Sequence, residues 1–109
     1  MATIAEIYPQ EGANQSKKQY RSHIAVIEDI LSVVSDAGNQ GVIISSLARR
    51  SNLSHYKLVA RCKELMDAGL IESRNVEKSQ VYIITEKGWN IFQQVQRFTG
   101  LVKSLGVRF

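Results

Sequence analysis

Few side chains in this 109-residue sequence are of the types that carry out catalytic or metal chemistry. It holds two histidines, His23 and His55, and one cysteine, Cys62. Zinc sites need three or four such ligands at short spacings, which the sequence lacks. It also has no Gly-rich phosphate loop and no Gly-x-Ser-x-Gly nucleophile motif. We therefore predict no enzyme, no metal and no cofactor, and interpret Cys62 as a small buried apolar residue.

The basic residues do indicate a chemistry through their positions. The sequence between Asp36 and Glu64 contains no acidic residue and five basic ones: Arg49, Arg50, Lys57, Arg61 and Lys63. The net charge of the whole chain is only +4, so the positions of the basic residues are more informative than the net charge. A basic segment free of acids is suited to the phosphates of nucleic acid. The alternative interpretation is a solvated, charged face of an ordinary helix.

Hydrophobic spacing places this basic segment on two short helices joined by a turn. A first helix begins near Tyr20, stops at the Gly38–Gly41 segment and has an apolar face made of Ile24, Ile27, Ile30, Leu31 and Val34. Val42–Ile44 is a β-branched run that precedes a second helix at about 45–51. That helix turns Ile44, Leu47 and Ala48 inward and its two arginines outward.

The third helix is predicted at about 54–68. Ser54 is a good N-cap and Gly69 a good left-handed residue after the helix end. Its buried face is predicted to hold Leu58, Cys62, Leu65 and Met66, which follow the spacing of a core stripe.

Two strand-like segments follow, at Leu70–Glu72 and Val81–Ile84, and the polar segment 73–80 is predicted to be the loop between them. A hairpin directly after a helix–turn–helix is the winged helix-turn-helix arrangement. The predicted fold class is therefore mainly α with a small β-hairpin (α+β). Thr85 then caps a long fourth helix, which we expect Gly100 to interrupt and Gly106 to end.

The chain accordingly divides into three parts. Residues 1–19 are predicted to be a flexible N-terminal arm, 20–84 the winged helix-turn-helix domain, and 85–109 a dimerisation helix with a short tail. One cysteine cannot form an internal disulfide, and neither a secretory signal nor a membrane-spanning run is evident. We therefore expect a cytoplasmic, nucleoid-associated protein with no membrane partner.

Helical geometry separates the residues that would face DNA. With Leu58 inward, the side chains of Tyr56, Lys57, Ala60 and Lys63 project outward from the helix expected to enter the major groove. Tyr56 is placed to contact a phosphate or a thymine methyl, and the small Ala60 permits close approach. The full predicted DNA-binding set is Arg49, Arg50, Ser54, Tyr56, Lys57, Ala60, Arg61, Lys63, Arg74 and Lys78. Lys17, Lys18 and Arg21 are weaker candidates for backbone contacts.

The fourth helix carries a second apolar pattern, which predicts a homodimer. The apolar residues Ile91, Val95, Phe98, Val102 and Leu105 follow the 4-3-4-3 spacing of a coiled-coil seam. Trp89 and Phe92 point elsewhere, and we expect them to pack on the helix's own domain. The alternative is that the whole stripe folds back as intramolecular core.

Three segments resemble small archaeal winged-helix DNA-binding proteins. They are residues 21–31, residues 53–72 with the runs Leu53-Ser-His-Tyr-Lys-Leu and Leu65-Met-Asp-Ala-Gly-Leu-Ile-Glu, and Tyr82-Ile-Ile-Thr-Glu-Lys-Gly. The resemblance spans about residues 20–105. It implies a transcription regulator or chromatin-type DNA binder whose terminal helices form an antiparallel coiled-coil dimer.

The resulting prediction is a homodimeric transcription regulator that binds double-stranded DNA. Its recognition helix would lie at about 54–68 and its wing at 73–80. Two alternatives stay open: a DNA-compacting chromatin protein with little sequence preference, and a winged helix that serves only as a protein–protein module.

Overall fold

The computed structural model describes residues 21–106, which form four helices and three strands. The predicted arm at 1–19 and the last three residues lie outside this range. In chain order the elements are α1 (His23–Ala37), a short 3-10 turn (Gly38–Gln40), β1 (Val42–Ile43), α2 (Ile44–Ser51), α3 (His55–Asp67), β2 (Ile71–Val76), β3 (Ser79–Ile84) and α4 (Glu86–Ser104). The predicted fold class, a mainly helical winged helix-turn-helix with a small sheet, is confirmed.

Each of the three long helices begins at a hydroxyl side chain. The Ser22 hydroxyl accepts the amide of Ala25, 3.1 Å away, and so caps α1. Ser54 and Thr85 do the same for α3 and α4. These hydroxyls satisfy amides that have no partner within the helix, so the sequence itself marks where the helices start.

The core lies where α1, α2 and α3 meet the sheet. Its fully buried side chains include Ile30, Leu31 and Val34 of α1, Leu47 of α2 and Leu58 of α3. The predicted stripes are confirmed at these positions, whereas Ile24 stays exposed because the core begins further along α1.

Cys62 lies in this core, as predicted. Burial raises the pKa of its thiol from 9.0 to about 11, because the low-polarity surroundings disfavour the thiolate. The thiol is therefore protonated at neutral pH and unreactive as a nucleophile.

The sheet is antiparallel with the strand order β1-β3-β2. The predicted loop at 73–80 is wrong in its extent: most of it is paired strand, and only Glu77 and Lys78 form the turn. Polar residues pair here because backbone hydrogen bonds build the ladder, and Gln80 also donates to the Ser73 hydroxyl across it. Both turn residues have positive φ, 49° and 70°, as a tight type I′-like hairpin requires.

The start of α4 is docked against the end of α3. The Thr85 amide donates to the Leu70 carbonyl over 3.1 Å, and the Thr85 hydroxyl donates to the Gly69 carbonyl over 2.6 Å. The Lys87 ammonium donates to the Ala68 carbonyl over 2.9 Å. Gly88 permits this approach, since a Cβ there would lie 1.9 Å from the Leu70 carbonyl oxygen.

The fourth helix runs without a break through Gly100, so the predicted interruption is wrong. The intrinsic cost of a helical glycine is about 1 kcal/mol, too little to break a helix whose inner face packs on α1. Phe92 is buried in the core as predicted, whereas Trp89 is partly exposed and lies against the Phe92 ring at a centroid distance of 6.0 Å.

Replacement of the two glycines of α4 by alanine should have opposite effects on stability. We expect Gly88→Ala to lower the free energy of unfolding by more than about 3 kcal/mol, because the added methyl collides with backbone. Gly100→Ala meets open space and should raise it by about 0.5–1 kcal/mol. Urea denaturation followed by circular dichroism measures both, and equal effects would contradict the packing at Gly88.

Candidate nucleic-acid interface

The turn between α2 and α3 is held by an arginine from outside both helices. The Arg21 guanidinium donates to the Ser51 carbonyl over 2.9 Å and to the Asn52 carbonyl over 2.8 Å. It also pairs with Asp29 of α1 at 2.6 Å. Asn52 adopts the left-handed conformation that ends α2. Arg21 thus fastens the helix–turn–helix to α1, which is a structural role, and its weak contact with DNA backbone stays a prediction.

The outer face of α3 is exposed to solvent. Leu58, Cys62 and Leu65 point into the core, which turns the opposite side of the helix to solvent. Tyr56 is 85% exposed, and the predicted residues Lys57, Ala60 and Lys63 are exposed beside it. The structure therefore places these four predicted DNA-facing side chains on the exposed side of α3.

Val59 is a neighbour on this surface that the sequence analysis missed. Its side chain is 44% exposed although valine is apolar. At 100° per residue it lies about 100° from Leu58, so its position beside Tyr56 and Ala60 could have been found from helical geometry.

Two of the five basic residues in the acid-free segment are paired with the acids that bound it. Arg50 contacts Asp36 at 2.8 Å, and Arg61 contacts Glu64 at 3.1 Å. Arg61 also lies 3.2 Å from the His23 ring. The Arg50 pair is largely exposed and weakly bound, so a phosphate can replace the carboxylate, whereas Arg61 is tied to both α1 and α3.

The other three basic residues of the acid-free segment are available to bind an anion. Within residues 21–106, no ion pair involves Arg49, Lys57 or Lys63. Ser54 is exposed, but its hydroxyl accepts the Lys57 amide and so acts first as a cap. The helix α3 therefore carries Lys57 near its start and Lys63 further along, and neither is in an ion pair within residues 21–106.

The two basic residues of the wing that are predicted to bind DNA have different surroundings. Arg74 pairs with Glu72 at 3.3 Å on an exposed strand, and Lys78 sits at the turn beside Glu77. Exposed pairs of this kind are weak, so both bases can still reach a phosphate, but the adjacent acids reduce the positive charge of the wing.

The predicted seam of α4 is divided between two faces. Ile91 packs partly against the core, and Val95 and Val102 are half-buried. Thr99, which the sequence analysis did not single out, is buried with its hydroxyl donating to Glu28. The exposed apolar residues lie near the end of the helix: Phe98 at 48%, Leu101 at 59% and Leu105 at 70%. The assignment of the seam to a dimer stays a prediction.

No helix within 21–106 is long and apolar enough to cross a membrane. That part of the chain also holds no group of three or more His, Cys, Asp or Glu side chains placed to bind a metal ion.

A helix–turn–helix followed by a hairpin wing and a long terminal helix is the architecture of a known family. The chain belongs to the winged helix-turn-helix family, whose sequence model matches residues 20–103. A search of curated protein sequences found no significant match.

Solved structures with the same fold come from archaea and bacteria. The DNA-binding protein Sso10a-2 of Sulfolobus solfataricus has a TM-score of 0.67 and 17% identity over 78% of this chain and 85% of that one. The transcriptional regulator BldR of the same organism has a TM-score of 0.64 and 20% identity over 73% and 58%. The homodimeric winged helix-turn-helix DNA-binding domain Mb0332 of Mycobacterium bovis has a TM-score of 0.59 and 21% identity over 69% and 68%.

These comparisons confirm the resemblance to archaeal winged-helix DNA-binding proteins. At such low identity the likeness to these structures establishes the fold alone.

Removing the Arg21 clamp should loosen the helix–turn–helix. We expect Arg21→Ala to lower the free energy of unfolding by about 1–2 kcal/mol, because two carbonyls lose a charged donor. Arg21→Lys keeps the charge but not the forked donor geometry, so it should recover only part of the loss. Urea denaturation provides the measurement, and Arg21→Ala with wild-type stability would contradict the clamp.

Proposed function

We propose that this protein is a transcription regulator that binds double-stranded DNA as a homodimer. In this proposal α3 enters the major groove, and Arg49, Arg50 and the wing contact phosphates. The observation that carries it is the exposed face of α3, where Tyr56, Lys57, Ala60 and Lys63 stand together without an ion pair among the described residues.

The electrostatics of α3 support insertion by its N-terminal half. The first nine residues of the helix, 55–63, contain no acid, whereas Glu64 and Asp67 follow. Glu64 is partly neutralised by Arg61, but Asp67 has no ion pair within residues 21–106 and would repel a phosphate. A helix with this distribution meets DNA with its start and leaves its end outside the groove.

The exposed end of α4 supports the homodimer. Leu101 and Leu105 are apolar and lie within about 40° of each other around the helix. Apolar side chains exposed in one region of a surface favour association. The exposed residues Phe98, Leu101 and Leu105 keep a 3-4 spacing, which suits packing against a second helix of the same kind. The similar domain Mb0332 is described as homodimeric, which supports a second copy of this chain as the partner.

A chromatin protein with little sequence preference is the second candidate. It is favoured by the scarcity on α3 of side chains that read bases through paired hydrogen bonds. The similar protein Sso10a-2 is described only as a DNA-binding protein. Selection of bound duplexes from a random pool separates the two: an enriched motif favours the regulator, and its absence favours the chromatin protein.

DNA binding should depend on the basic residues of α2 and α3 that have no ion pair within residues 21–106. We expect single alanine replacements of Arg49, Lys57 and Lys63 each to weaken binding. Each should also reduce the slope of log K against log salt concentration by about one, because one phosphate contact is lost. Fluorescence anisotropy with a labelled 24-base-pair duplex at several salt concentrations measures this.

Arg97→Ala is the matched control for charge, because Arg97 lies on α4, away from α3. It should leave the salt dependence unchanged. Unchanged affinity in the triple Arg49, Lys57 and Lys63 variant would refute the proposed surface. Failure of the wild-type protein to bind any duplex at low salt would favour a protein–protein module instead.

The dimer is tested by a charge placed in its apolar face. Sedimentation equilibrium should give twice the monomer mass of 12.2 kDa for the wild type, and Leu105→Asp should reduce it to one monomer. Leu105 is exposed in the single chain, so the change should spare the fold. Gln93→Asp, on another face of α4, should stay dimeric. A wild type that is monomeric at micromolar concentration would refute the dimer.

A further inference from the structure

The part of α3 that would face DNA is apolar where hydrogen-bonding side chains are usually expected. Tyr56, Val59 and Ala60 are all exposed and lie at positions i, i+3 and i+4, which are neighbours on a helix surface. They form one small patch at the N-terminal half of the helix, which we call the apolar patch. Exposure of this patch to water is unfavourable until something covers it.

The helix has one side chain of the types that identify purines through two hydrogen bonds, and it is engaged elsewhere. Arginine reads guanine in this way, and asparagine or glutamine reads adenine. Residues 55–67 contain no Asn or Gln, and their one arginine, Arg61, is held by Glu64 and His23. Lys57 is the only cation at the start of α3, and a lysine supplies a single point charge rather than a fork.

Double-stranded DNA offers one apolar feature in its major groove, the C5-methyl group of thymine. We propose that α3 recognises DNA by packing the apolar patch against thymine methyls, so that A·T pairs at defined positions are its preferred substrate. Val59 is then a specificity-determining residue alongside Tyr56. This inference rests on the proposed function, since it requires α3 to lie in the major groove.

Charge beside the apolar patch favours DNA over an apolar protein partner as its occupant. Lys57 lies on one flank, and Lys63 lies one turn after Val59 and Ala60 on the same face. Both lysines are exposed and without an ion pair within residues 21–106, so they can bind the phosphates on either side of the groove. The small side chain of Ala60 lets the helix backbone approach the base edges.

Removal of the methyl alone tests the proposal. Binding is compared between a 24-base-pair alternating d(AT) duplex and the same duplex with deoxyuridine in place of every thymidine, which keeps the phosphates and the hydrogen-bonding groups. Burial of one methyl-sized group is worth ~0.8 kcal/mol, so each contacted methyl should contribute roughly a fourfold difference in affinity. We expect the d(AT) duplex to bind at least fourfold more tightly.

The converse change adds the methyl to a G·C duplex. An alternating d(GC) duplex in which each cytosine carries a 5-methyl group presents the methyl in the major groove without thymine. It should bind more tightly than the unmethylated duplex, which separates a methyl contact from the flexibility of A·T steps.

Variants of the protein assign the effect to named side chains. Val59→Thr is nearly isosteric and replaces one methyl by a hydroxyl at an exposed site, so it should reduce the d(AT) to d(AU) affinity ratio without loss of folding. Lys63→Ala is the control: it should weaken binding to both duplexes equally and preserve the ratio.

The outcomes separate this inference from the function on which it rests. Equal affinities for the d(AT) and d(AU) duplexes would overturn the methyl contact while DNA binding stands. A ratio preserved in the Tyr56→Ser, Val59→Thr double variant would overturn the assignment to the apolar patch. No binding to any of the four duplexes at 50 mM salt would overturn the proposed function and this inference together.

Discussion

The close contact between the end of α3 and the start of α4 sets the geometry of the whole molecule. The last carbonyls of a helix lack intrahelical donors and carry partial negative charge. Here the carbonyl of Ala68, the C-cap of α3, receives the Lys87 ammonium. The Gly69 and Leu70 carbonyls, which lie just after the helix, receive the hydroxyl and amide of Thr85. Only glycine fits at position 88. Residues 85–88 therefore begin α4 and at the same time bind the carbonyls that follow α3, which holds the two helices together at this point.

This junction has a consequence for a dimeric DNA-binding protein. The helix proposed to meet DNA is joined directly and rigidly to the helix proposed to meet a second copy. The separation of two such recognition helices would then depend on how the α4 helices cross. Half-sites of a two-fold site lie about 34–36 Å apart, or a multiple of that, so the crossing must match this spacing. The Arg21 clamp adds rigidity, because it fixes the helix–turn–helix to α1 and α1 packs on α4.

The candidate interface is less basic in the fold than in the sequence. Five basic residues lie in a segment without acids, yet two of them are paired. The fold brings Asp36 of α1 to Arg50, and Glu64 pairs with Arg61 one turn earlier in α3. The basic residues that remain without an ion pair in residues 21–106 are Arg49, Lys57 and Lys63, and the two lysines lie beside the apolar patch. Such a surface suits moderate electrostatic attraction combined with contacts to base edges, rather than strong binding to phosphates alone.

Local pattern was sufficient to predict the order of elements, the caps at Ser54 and Thr85, and the buried stripe of α3. These features depend on neighbours within one or two helical turns, and residue type decides them directly. Contacts between residues far apart in the chain were not predictable in this way. The clamp of Arg21 on residues 51 and 52, the ion pair of Arg50 with Asp36, the contact of Arg61 with His23 and the division of the α4 stripe arise when α1 and α4 pack beside the helix–turn–helix. Tertiary packing determines which polar side chains form contacts and which apolar side chains stay exposed to water. It therefore determines the charge and the polarity of the surface.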